Sequence, residues 1–151
     1  MPRGPVDLLD VNVWLALADE NHEHHARARH YWERESSARL AFCRVTMLGL
    51  LRLSTHRKVM DNKPFTSAEA WRAYRNFLAL PEVTLLTDPP ALESSLAAWT
   101  KLPGFPNHLW TDAYLAAFAQ SSGARLVSFD ADFLNFDGLN FLHLKKLAAK
   151  R

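Results

Sequence analysis

Apolar positions along the chain fall into short, mostly apolar runs separated by longer stretches in which apolar residues recur every three or four positions. Val6 to Asp10, Leu40 to Cys43, Val83 to Leu86 and Arg125 to Ser128 are such runs, and Asn140 to Leu144 is a fifth candidate. Runs this short, without polar alternation, read as strands covered on both faces. The stretches between them read as helices. Asn12 to Ala18 is a short one, and Asn21 is placed to cap a second that runs to about Glu35, with Ala28, Tyr31 and Trp32 inward. Val45 to about His56 is apolar round most of its circumference, interrupted by Arg52. After a polar loop at Asp61 to Pro64, Thr66 and Glu69 form a capping box. The helix they open carries the stripe Ala70, Trp71, Tyr74, Phe77 and Leu78, and Pro81 ends it. Pro89 and Pro90 introduce a further helix with Leu92, Leu96 and Trp99 in register. Trp110 to about Gln120 is the last, with Gly123 as its C-terminal stop and Ala113, Ala116 and Ala117 as a face for close packing.

Strands alternating with helices predict an α/β fold: a mainly parallel sheet of four or five strands between helical layers, in one domain spanning residues 1–151. In such sheets the loops that follow the strands gather at one edge, where ligands bind. A hydrophobic share of 48% excludes a disordered chain. The single cysteine, Cys43, excludes an intramolecular disulfide and fits a reducing, cytoplasmic setting. Its place at the end of an apolar run predicts a packed thiol in a strand rather than a reactive one at a helix start. No apolar stretch approaches the roughly 20 residues of a membrane span, and no leader is visible at the N-terminus.

A net charge of +2 decides little, but Arg27, Arg29, Arg34 and Arg39 lie near one another, as do Arg52, Arg57 and Lys58, and Lys145 to Arg151 is basic. Such groups either follow a phosphate backbone or simply solvate helix faces.

The acids are more informative. Asp10 ends the first strand, Asp130 follows the fourth, Asp132 comes two residues later, and Asp112 lies in the first turn of the preceding helix. They converge only if the first and fourth strands are neighbours, which the spacing leaves open. Carboxylates brought together raise one another's pKa. A divalent cation removes that conflict, and hard oxygen donors suit Mg²⁺ or Mn²⁺. Each acid alone also has an ordinary explanation, Asp112 at a helix N-terminus and Asp130 in a turn. His22, His24, His25 and His30 lack metal-ligand spacing and read as an exposed helix start, while His108 stands near Asp112. A phosphate-binding loop, a dinucleotide glycine pattern and a nucleophile elbow are all missing.

The segments Leu9-Asp10-Val11-Asn12-Val13-Trp14, Thr111 to Ala117 and Leu126 to Phe133, with Ala41 to Leu53 between them, resemble the PIN-domain ribonucleases, and within them the VapC-type toxins of bacterial toxin–antitoxin pairs. The resemblance covers Val6 to Leu144 and implies a three-layer α/β/α fold. It implies an endoribonuclease dependent on Mg²⁺ or Mn²⁺, a homodimer, and an antitoxin that blocks the site. By this resemblance Asp10, Asp112 and Asp130 are the metal-binding acids, and Asp132 is a further catalytic one. Asn12, Thr46, Arg52 and Ser128 are placed beside the substrate. RNA, single-stranded or looped, is then cut by water activated at the cation.

One position departs from the pattern: Gly49 stands where many of these proteins have Glu. A glycine inside a helix costs about 1 kcal/mol relative to alanine. Either the backbone makes room for a close neighbour, such as the helix bearing Asp112, or the site does without that acid and relies on Asp132. One carboxylate fewer predicts a site that needs millimolar Mg²⁺ and takes Mn²⁺ more tightly. Two other readings stay open: a PIN-like module that binds RNA or protein without cutting, and a phosphohydrolase of small esters with Asp10 as nucleophile.

Overall fold

The computed structural model describes residues 4–145, so the basic tail beyond Lys145 lies outside the described residues. Successive side chains in its strands feed two cores. In β1 (Val6–Leu9), Leu8 packs into one core and Leu9 into the other. In β2 (Arg39–Phe42), Ala41 joins Leu8 while Leu40 and Phe42 join Leu9. In β4 (Arg125–Ser128), Leu126 and Val127 divide in the same way. Both faces are therefore apolar, which is why the runs do not alternate in polarity.

With β3 (Val83–Leu85) and β5 (Phe141–His143), the strands form a five-stranded sheet in the order β3-β2-β1-β4-β5. Every pairing is parallel. The chain builds outward from β1 to β2 and β3, then returns to the other side of β1 for β4 and β5. The switch point thus falls between β1 and β4, with Leu9 opposite Val127. This is the adjacency that the spacing of the acids required.

Four helices lie on one face: α1 (Val11–Ala18), α2 (His25–Arg34), α3 (Arg44–Ser54) and α4 (Ser67–Leu78). They supply Trp14, Tyr31, Leu50 and Tyr74 to the core containing Leu9. On the other face lie α5 (Leu92–Thr100) and α6 (Trp110–Ser122). Ala113, Ala116 and Ala117 of α6 are fully buried and let it approach the sheet closely. Gly123 ends α6 in the left-handed region at φ 66°.

Several boundaries differ from the sequence expectation. Asn21 does not cap α2, which starts four residues later at His25. Asp19 Oδ1 accepts the Asn21 N–H at 3.0 Å and His22 Nδ1 accepts the His24 N–H at 3.0 Å, so local side-chain bonds hold this stretch in turns. Cys43 is not in the strand: β2 ends at Phe42 and Cys43 is the N-cap of α3. Burial pushes its thiol pKa up, so it stays a packed, unreactive group. Trp71, placed inward by the helical stripe, is 42% exposed and carries the Arg75 guanidinium over its ring.

Asp7 is an ionic anchor that the sequence pattern hid within an apolar run. It is fully buried and faces Arg125 across the β1–β4 pairing. Arg125 donates to its two carboxylate oxygens at 2.9 and 2.8 Å, and the Asp7 carboxylate also accepts from the Tyr31 hydroxyl at 2.5 Å and the Ser37 N–H at 3.0 Å. Burial alone would raise the Asp7 pKa; these donors outweigh it and hold the carboxyl below its usual range.

Candidate active site

Four acids meet above the β1–β4 switch point, each delivered by a local structural requirement. Asp10 leaves β1 in an extended conformation and caps α1, its Oδ1 accepting the Val11 N–H at 2.7 Å. Its Oδ2 accepts from the Ser128 hydroxyl at 2.7 Å. Ser128, the buried last residue of β4, also accepts the Asp130 N–H at 2.9 Å and the Asn12 amide at 3.1 Å. One donor and two acceptors exhaust a hydroxyl, so Ser128 is fully satisfied. Asn12 Oδ1 accepts the Phe129 N–H at 3.3 Å, which completes a clasp between the two strand ends.

Asp130 caps a 3-10 turn, Ala131–Asn135, and its Oδ1 accepts the Asp132 N–H at 2.9 Å. Asp112 reaches the same place from the first turn of α6. Each of Asp112, Asp130 and Asp132 offers an oxygen within 4.8 Å of the others, the one group with metal-ligand spacing among the described residues. Asp10 lies outside this trio but is felt by it. Burial, then the charges of Asp130, Asp10 and Asp132, push the Asp112 pKa up to about 6, with His108 acting in the opposite sense. Burial also raises Asp10, against the bonds from Ser128 and Val11 and with the help of Asp130.

The remaining residues singled out from the sequence divide. Asn12 and Ser128 are in the site, as supports of its acids. Thr46 is buried and its hydroxyl closes a capping box, accepting the Cys43 N–H at 2.9 Å and donating to the Cys43 carbonyl at 3.0 Å, so no exposed hydroxyl faces a substrate. Arg52 is exposed on α3, one turn beyond Gly49.

Gly49 does make room for a neighbour, but the neighbour is α1 and not the Asp112 helix. A Cβ there would lie 2.3 Å from Cγ2 of Val11 and 3.3 Å from its Cβ. Any side chain at position 49 therefore collides with the residue that follows Asp10.

The histidines are dispersed: His25 Nδ1 is 2.7 Å from the Ala16 carbonyl, and His30 approaches Glu35. His24 stacks on Phe129, with centroids 4.6 Å apart, a contact that sequence reading missed because it joins a loop to a strand end far along the chain. A cleft of about 420 Å³ among Leu17, Trp32, Phe77 and Leu80, rimmed by Arg29, Glu33 and Glu82, holds none of Asp10, Asp112, Asp130 and Asp132.

Known proteins share this architecture. Residues 8–139 match the PIN domain. Ribonuclease VapC41 of Mycobacterium tuberculosis is 38% identical over 144 residues, covering 92% of this chain and 99% of its own. Ribonuclease VapC33 of the same organism is 32% identical over 135 residues, covering 87% and 93%. The crystal structure of VapC20 of M. tuberculosis, described as a Sarcin-Ricin loop cleaving toxin, covers 88% of this chain and 95% of its own with a TM-score of 0.66. At 18% identity that likeness speaks for the fold alone.

Proposed function

The chain belongs to the PIN-domain family, and from that premise we propose that it is a metal-dependent endoribonuclease, the toxin of a toxin–antitoxin pair. The observation that carries this reading is the trio Asp112, Asp130 and Asp132 at the β1–β4 switch point, in a chain whose relatives are ribonucleases.

The donor set fits a hard divalent ion, Mg²⁺ or Mn²⁺: three carboxylates with oxygens within 4.8 Å and a raised Asp112 pKa that a cation would relieve. Asp112, Asp130 and Asp132 would hold it, with Asp10 beside them. Such an ion supplies a Lewis acid for the phosphoryl oxygen and charge to stabilise the attacking and leaving oxygens. The protein's own part is to hold the acids still. Ser128 and Asn12 lock the ends of β1 and β4, and the short turn after Asp130 sets Asp132 beside it. Arg52, exposed on α3, is the residue we assign to a flanking phosphate. The Asp10 carboxylate is engaged at both oxygens, which disfavours a phosphohydrolase with that residue as nucleophile.

Asp10→Asn tests the reading. Asparagine caps helices as well as aspartate does, so the fold is kept while a charge is removed. Cleavage of a mixed RNA pool in Mg²⁺ or Mn²⁺ should fall by at least about a hundredfold, and the parent should be silent in EDTA. A parent that binds RNA without cutting it in either metal would instead favour a binding module. Leu48 on α3 and Trp71 on α4 are exposed, which supports a homodimer and an antitoxin contact. Light scattering at high micromolar concentration should give twice the 17.2 kDa chain mass.

A further inference from the structure

A second cleft, of about 480 Å³, opens between the turns that precede α2 and the loop that joins α3 to α4. Its walls include Asp19, His22, Asp61, Lys63 and Phe65. Two ring contacts lead from it toward the acidic site: His22 lies tilted at 5.6 Å from His24, and His24 stacks at 4.6 Å on Phe129, the residue before Asp130.

The α3–α4 loop is held in place. Asp61 and Asn62 both adopt left-handed backbone, at φ 50° and 63°, which Asp and Asn tolerate better than most side chains. The Asn62 N–H bonds the Arg57 carbonyl at 2.8 Å, the Arg57 side chain donates to Asn62 Oδ1 at 3.3 Å, and the Phe65 N–H bonds the Ser54 carbonyl at 2.8 Å. A preorganised wall loses little freedom when a ligand arrives.

The lining selects the ligand. Asp19, Glu23 and Asp61 outnumber Lys63, so a phosphate is repelled from the interior. These acids lack metal-ligand spacing, which among the described residues belongs to the trio alone. Arg57 and Lys58, exposed on the same loop, disfavour a basic peptide but suit a sugar–phosphate backbone passing the mouth. Phe65, half-buried in the wall, offers its ring to a planar ligand. His22 accepts the His24 N–H at Nδ1, and burial lowers its pKa, so its ring is neutral and Nε2 is left as a donor.

We propose that this cleft is a nucleobase subsite that takes guanine from single-stranded RNA and so sets where the RNA is cut. Asp19 and Asp61 accept from the guanine N1–H and N2 amino groups, and His22 or Lys63 donates to O6. Adenine and uracil do not match this pattern of donors and acceptors. The proposal rests on reading the neighbouring acids as a nuclease site.

The test is fluorescence anisotropy of the full chain in EDTA with labelled single-stranded hexanucleotides. One carries a central guanosine in an adenosine background, one inosine at that position, and one adenosine throughout. Guanosine should bind about tenfold more tightly than adenosine, and inosine, lacking the amino group, should lose most of that gain. Asp19→Asn and Asp61→Asn should each cut the guanosine preference to about threefold or less. Both substitutions keep the local fold, because asparagine retains the Oδ1 that accepts the Asn21 N–H and tolerates left-handed backbone. Equal affinities for the three oligonucleotides, or a preference that survives both substitutions, would overturn the subsite. A second arm maps the 5′ ends of cleaved random RNA in Mg²⁺. Cutting without a guanosine at a fixed offset overturns the subsite alone. Guanosine preference in a protein that cuts nothing overturns the nuclease reading alone.

Discussion

Asp112 stands partly buried among three other carboxylates, with its pKa pushed up to about 6. A carboxyl whose folded pKa exceeds its unfolded value of 3.8 favours the folded state when protonated. That contribution is fully present below pH 3.8 and is lost as pH rises through about 6. Asp112→Asn should therefore melt higher than the parent at pH 8 in EDTA, but not at pH 4. Solvent screening at a half-exposed group limits the gain to about 2–4 °C. Adding Mg²⁺ should narrow the gap by relieving the repulsion in the parent, while the variant loses cleavage. Thermal melts at the two pH values, with and without Mg²⁺, check the sign. The acids themselves were legible in the sequence because each ends an apolar run or opens a helix. Which of them bring oxygens within ligand spacing of one another was not legible. The Asp10 side chain is taken up by Val11 and Ser128, and this depends on a hydroxyl 118 residues away.

The contact between α1 and α3 turns on Gly49 and Val11. Alanine for glycine inside a helix ordinarily stabilises by about 1 kcal/mol. Here the added Cβ would lie 2.3 Å from Val11 Cγ2, and Val11 is β-branched with little freedom to turn away. Gly49→Ala should thus destabilise, by about 1–3 kcal/mol as other overpacked sites do. Adding Val11→Ala should recover most of the loss, a coupling that urea unfolding of the four proteins in a double-mutant cycle would measure. Independent, additive effects would show that the two helices do not meet as described. The anomaly of a glycine in an apolar helix was visible in the sequence. Its cause was not, because ridge-to-groove contacts between helices leave no local pattern. Helix starts divide similarly: Thr66 and Glu69 announce α4 through bonds within four residues. The start of α2 depends on turn bonds from Asp19 and His22 that override the capping tendency of Asn21.

Across the molecule, β1 is held to β4 at both ends, by Asp7 with Arg125 at one and by Asp10 with Ser128 at the other. Asp7 is depressed below its usual pKa, so its contribution to stability is present above pH 3.8 and is lost as pH falls through the folded value. Arg125→Met leaves that buried carboxylate without its ion partner and should cost about 3–5 kcal/mol at pH 7. The penalty should shrink toward pH 4, where the unpaired acid takes up a proton, and urea titrations at both pH values would show whether it does. Alternating strands and helices disclosed the layers, but strand order was hidden, since a parallel neighbour is chosen by packing and not by proximity in the chain. That order bears on synthesis. Until residues 125–128 have emerged from the ribosome, the central strand has one edge without a partner, and Asp130 and Asp132, which follow that strand, cannot yet reach the site. A nascent chain therefore has no assembled acid trio through most of its translation, and a toxin built this way is armed only after the fourth strand docks.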